Sequence, residues 1–157
     1  MGLWYRVFGA RDDPPDPAAL LAHLKTLGEG ARAIEGQFRG EGDAWWSAEI
    51  TFAEKTTPLH LDRFLATEDG IRAELNSWAA YLETCDYSSA YAPLMERMIQ
   101  TKQLFTLRRP VDHADEVLVE RLCAGLCAYL ARLTDGVWQE DGRGFFAADG
   151  TLLLQEY

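Results

Sequence analysis

Basic side chains are scarce in this chain: 15 Lys and Arg stand against 25 Asp and Glu, a formal charge of −10. Phosphate contacts need clustered cations, and the one tight basic pair is Arg108-Arg109, so nucleic acid is excluded as a partner. Long hydrophobic runs are also missing. No apolar stretch reaches the roughly 18 residues of a membrane span, and "MGLWYRVFGARDD" has no extended apolar segment of a secretory signal. Arg6 stands where a myristoylation motif after Met1-Gly2 needs Ser or Thr. Only three cysteines occur, Cys85, Cys123 and Cys127, an odd number with no paired framework. A reducing, cytoplasmic setting without membrane contact is therefore expected.

The motifs of catalysis are missing as well. None of the three histidines carries a recognisable partner set, and there is neither a G-x-S-x-G turn nor a catalytic-cysteine context. Cys123 and Cys127 share a helix face at i, i+4, as two metal ligands do. A zinc site needs further ligands, and no recognised spacing joins this pair to Cys85 or His113. Packing as small hydrophobes is the simpler reading. No metal, cofactor or catalytic residue is assigned.

What the chain does have is clear periodicity. "LWYRVFG" (3–9) reads as a strand, and Asp16 with Pro17 opens a helix over 17–27. Residues 34–39 and 46–52 alternate on either side of a glycine-containing loop, an antiparallel hairpin with one polar face. Helices are expected over 68–84, 91–101 and 114–133, the last starting near Asp112 or Asp115, with a strand at 103–108. "VFGARDDP" and "LFTLRRP" each precede a helix and a hairpin, which suggests two βαββ-like halves. The expectation is one α+β domain over 1–157, with a mainly antiparallel sheet and helices packed largely on one face.

"TDGVWQEDGRGFFAADGTLLL" (134–154) contains Asp-Gly three times. A calcium loop starting at Asp135 would put Val137 and Phe146 at ligand positions, and one starting at Asp141 would put Arg143 there. "DGRG" leads into "FFA" rather than a helix, so a phosphate cradle fails too. The pairs read as turns. Gly136 is expected to end the long helix in a left-handed conformation. "DGRG" makes a hairpin loop, and Asp149-Gly150 a two-residue type I′ turn with Phe146 opposite Leu153 and Phe145 opposite Leu154.

Two candidate sites remain. The opening strand is apolar on both sides, with Leu3, Tyr5 and Val7 facing one way and Trp4, Arg6 and Phe8 the other. Either it is a central strand covered twice, or Trp4 and Phe8 join Trp45 in an exposed aromatic patch for a protein partner or a second subunit. His60 and Asp62 alternate along "PLHLDRF" and, with Arg108, are the polar residues best placed to serve a ligand cleft between the halves. The leading expectation is a non-catalytic interaction module, such as an acidic inhibitor or immunity-type protein that neutralises a basic partner. The alternatives are a small-molecule binder or enzyme using His60, Asp62 and Arg108, and a homodimer.

Overall fold

Period-two and period-3.6 patterns become strands and helices close to their expected places in a computed structural model, which describes residues 3–53, 57–111 and 115–157. In chain order these are β1 (Trp4–Gly9), α1 (Pro17–Leu24), β2 (Glu35–Glu41), β3 (Ala44–Thr51), β4 (Leu59–Leu65) and α2 (Ile71–Glu83). Then come α3 (Tyr91–Gln100), β5 (Gln103–Arg108), α4 (Glu116–Leu133), β6 (Val137–Glu140), β7 (Gly144–Phe146) and β8 (Leu152–Gln155). Asp16 caps α1 by accepting from the Ala19 amide at 3.0 Å, and Asp115 caps α4 through Leu118 at 3.0 Å. Asp112 and His113 lie outside the described residues, as do Met1 and Gly2.

All eight strands among the described residues form one antiparallel sheet, ordered β2-β3-β4-β5-β1-β6-β7-β8. The fold class is α+β, as the periodicity predicts. The chain order β-α-β-β-β does occur twice, around α1 and around α4. Strand order does not repeat it: β4 lies beside β5, whereas β6 rather than β8 lies beside β1.

Helices cover both faces of this sheet, a departure from the one-sided packing expected. Tyr5 and Val7 of β1 join a core with Leu20 and Leu24 of α1 and Leu122 and Leu126 of α4. Phe8 enters a second core with Leu75 and Leu82 of α2 and Leu94 and Met98 of α3. β1 is thus the doubly covered central strand. The polar face of the β2–β3 hairpin, which suggested a single covered side, belongs to strands outside the α2/α3 core.

A β-bulge between Arg39 and Gly40 shifts the β2–β3 register, pairing Gly40 with Trp45 and Arg39 with Ser47. Trp46 is the extra residue. The shift turns Trp45 into the α1/α4 core, where its ring meets Phe38 at 5.1 Å and its Nε1 donates to the Pro15 carbonyl at 2.8 Å. Gly40 is needed opposite, because a Cβ there would sit 2.3 Å from the Trp45 Cα. Beside it, buried Arg63 donates to Gln103 Oε1 at 2.7 Å, to the Trp45 carbonyl at 3.2 Å and to the Asp12 carbonyl at 3.0 Å. The side chains of Arg63 and Gln103 together satisfy the loop that leads into α1.

The three Asp-Gly pairs are turns, with two changes of detail. At the end of α4 the left-handed residue is Asp135 (φ 53°), and the Gly136 amide bonds back to the Ala131 carbonyl at 2.7 Å. Gly136 is required for closeness, since a Cβ would meet the Phe8 carbonyl oxygen at 2.1 Å. The last hairpin pairs Phe145 with Leu154 as expected, but a bulge sets Phe146 opposite Leu152. Ala147 accepts from Gly150 at 3.0 Å and Gly150 alone of that turn has positive φ, so the turn is not type I′.

Candidate interaction surface

Antiparallel pairing carries side chains across strands in rows. On the α2/α3 side one row runs Glu49, His60, Arg108, Trp4 across β3, β4, β5 and β1. The next runs Ser47, Asp62, Thr106, Arg6, Gln139, and the third runs Phe64, Leu104, Phe8, Val137. Leu104, Phe8 and Val137 of the third row are buried with α2 and α3. Over β3 to β1 the first two rows lie outside that core and stay half-buried or exposed, polar apart from Trp4.

Arg6 marks the border. Its Nη1 donates to Asp141 Oδ1 at 2.6 Å and Gln139 Oε1 at 3.0 Å, while its guanidinium lies 4.8 Å from the Trp78 ring of α2. Gln139 Nε2 donates to Asp141 and to Glu156, both at 2.8 Å, and the Tyr81 hydroxyl donates to Glu156 at 2.8 Å. Burial, reinforced by the Glu156 carboxylate, holds the Tyr81 phenol well above its usual range. Further out, His60 Nε2 is 3.3 Å from Asp62 Oδ1, and Arg108 lies 5.9 Å from the Trp4 ring.

His60, Asp62 and Arg108 therefore share one face, and His60 and Arg108 are direct cross-strand partners. Both line a pocket of about 540 Å³ together with Glu49, Pro58 and Pro110. Asp62 does not line it and contacts His60 instead. No family model, curated protein or solved structure matches the chain. Its surfaces are accordingly read from their own chemistry.

The aromatic trio is divided. Trp4 is 38% exposed, but Phe8 and Trp45 are buried in the two cores on opposite sides of the sheet. The three do not form one patch. The bulge instead exposes Trp46, at 53%, which strict alternation assigns to the interior. Gly40 opposite it was the available signal, since a strand glycine often marks a bulge.

Charge is concentrated around α2. Glu68, Asp69, Glu74, Glu83 and Asp86 are all exposed, and Arg72 is the single base between residues 68 and 86. Its guanidinium reaches α3, donating to the carbonyls of Met98, Ile99 and Thr101 at the end of that helix. Cys123 and Cys127 are buried on the core face of α4. Burial pushes the Cys123 thiol up to about 12 and the Cys127 thiol well above its usual value, so neither thiolate forms readily. Among the described residues no three His, Cys, Asp or Glu side chains are grouped to hold a metal, and no helix is long and apolar enough to cross a membrane.

Proposed function

We propose that this protein is a non-catalytic interaction module that docks a basic protein partner along α2 and the adjoining open rows of the sheet. One observation carries the reading: α2 and its flanks present five carboxylates, while their one arginine is spent on the carbonyls of α3. Such a surface speeds encounter with a cationic partner and repels phosphate. Beside it Arg6 is already held by Asp141 and Gln139, which lowers the ordering cost of docking. The test captures partners from lysate on the protein and on a Glu74→Lys/Glu83→Lys/Asp86→Lys variant. A cationic protein held by the first, lost from the second and released between low and physiological salt supports the reading. Capture indifferent to both salt and charge reversal rejects it.

A second reading has its own observation, the pocket shared by His60 and Arg108. There the protein holds a small polar ligand, with the apolar floor supplied by Pro58 and Pro110. His60→Ala and Arg108→Ala should each weaken such a ligand about tenfold or more. Unchanged binding in both variants removes those residues from any site.

A further inference from the structure

An apolar cavity lies elsewhere, framed by the Asp-Gly-rich stretch and by α3. It holds about 590 Å³ and its walls include Leu94, Ala131, Val137 and Leu153. Cavities of this size with few polar groups are the usual form of a small-ligand site. Two arginines, Arg97 and Arg132, line it too, against the overall negative charge of the chain.

Both are placed by neighbouring structure. Arg97 Nη1 donates to the Asp135 carbonyl at 2.9 Å, which uses one of five donors on that group. The Asp135 it holds is the only described residue other than glycine with positive φ, a conformation that needs support from its surroundings. Arg132 lies 5.9 Å from the Tyr129 ring and is exposed. Asp135 is the single carboxylate in the lining, leaving a formal excess of one positive charge there.

We propose that this cavity binds a medium-chain carboxylate, its alkyl chain against Leu94, Val137 and Leu153 and its carboxylate toward Arg97 and Arg132. An alcohol of equal length gains the apolar contact without the charge-assisted hydrogen bonds, and an amine meets like charge. The site is separate from the α2 surface, so either proposal stands or falls alone.

The test titrates octanoate, octanol and octylamine into the ¹⁵N-labelled protein and follows backbone amides. Saturable shifts confined to residues 90–97, 131–137 and 147–153 are expected with octanoate, at least tenfold tighter than with octanol or octylamine. Hexanoate should bind about tenfold more weakly than octanoate, as two methylenes leave the cavity. Arg132→Gln should remove most of the preference for acid over alcohol. Asp135→Asn, which keeps a residue tolerant of positive φ, should tighten octanoate several-fold without moving the octanol affinity. Equal binding of acid and alcohol, or no saturation by octanoate up to millimolar concentration, overturns the proposal. The Asp135→Asn arm decides it even where an arginine variant is poorly folded.

Discussion

The two faces of the sheet are built from the same strands and treated very differently. On the α1/α4 side burial runs from Ile50 in β3 through Leu61, Leu107 and Tyr5 to Trp138 and Phe146. On the α2/α3 side the buried apolar set is confined to positions such as Leu104, Phe8, Val137 and Phe145, and the rows above them over β3 to β1 are mostly polar. The difference teaches that an alternating strand declares only that its two sides differ. Which side meets solvent, and over what length, depends on where helices far away in sequence come to rest.

Neighbouring tryptophans break this comparison most sharply. Trp45→Ala, on the closed face, should cost about 3–5 kcal/mol, whereas Trp46→Ala should stay within about 0.5 kcal/mol. Chemical denaturation of the two variants measures both. Equal losses would mean that the bulge does not set their orientation. Phe8→Ala should resemble Trp45→Ala, because Phe8 is as deeply buried on its own side.

A smaller contrast separates two arginines. Arg63→Met leaves Gln103 and two carbonyls without their donor and should destabilise by about 3 kcal/mol. Arg108→Met, on the open face, should change stability by less than about 1 kcal/mol. Thermal melts of the pair distinguish a buried structural cation from a surface one.

The gentlest test is pH. Glu140 is buried on the closed face, and desolvation raises its pKa above the ordinary 4.5 despite Arg143 3.3 Å away. The folded state therefore holds the proton more tightly than the unfolded state. Its stabilising contribution is full below that ordinary value and is lost as pH rises through the folded value. Wild type should lose stability relative to Glu140→Gln on going from pH 4.5 upward. His23, stacked on Tyr129 at 4.6 Å, works in the other direction. Burial and the Arg132 charge lower its pKa, so its contribution is present above 6.5 and is lost on acidification. A denaturation midpoint that tracks identically with pH in wild type and Glu140→Gln would remove Glu140 from this account.

Much of the architecture was legible in the sequence because it is local. Asp16-Pro17, the leucine stripe of residues 118–133 and the alternation in 103–108 each specify an element without reference to the rest of the chain. Strict alternation misplaces Trp45 and Trp46 because a bulge depends on the partner strand, and one inserted residue reverses every side chain beyond it. The convergence of His60 and Arg108 was not visible either. It follows from pairing β4 with β5 across α2 and α3, a register that no local pattern contains. Likewise the cavity beside Asp135 needs α3, α4 and the last hairpin together, so the Asp-Gly stretch alone reads only as turns.

The central position of β1 has a consequence for how the chain is made. β1 precedes every other strand, yet it pairs with β5 and β6, and Arg6 reaches Gln139 across 133 positions. Contacts of that span form slowly, because a long loop must close before they contribute. During synthesis the aromatic strand from Trp4 to Gly9 therefore cannot meet its native partners until β5 and β6 have emerged. Chaperone dependence and a sluggish refolding phase are the expected cost of placing the first strand in the middle.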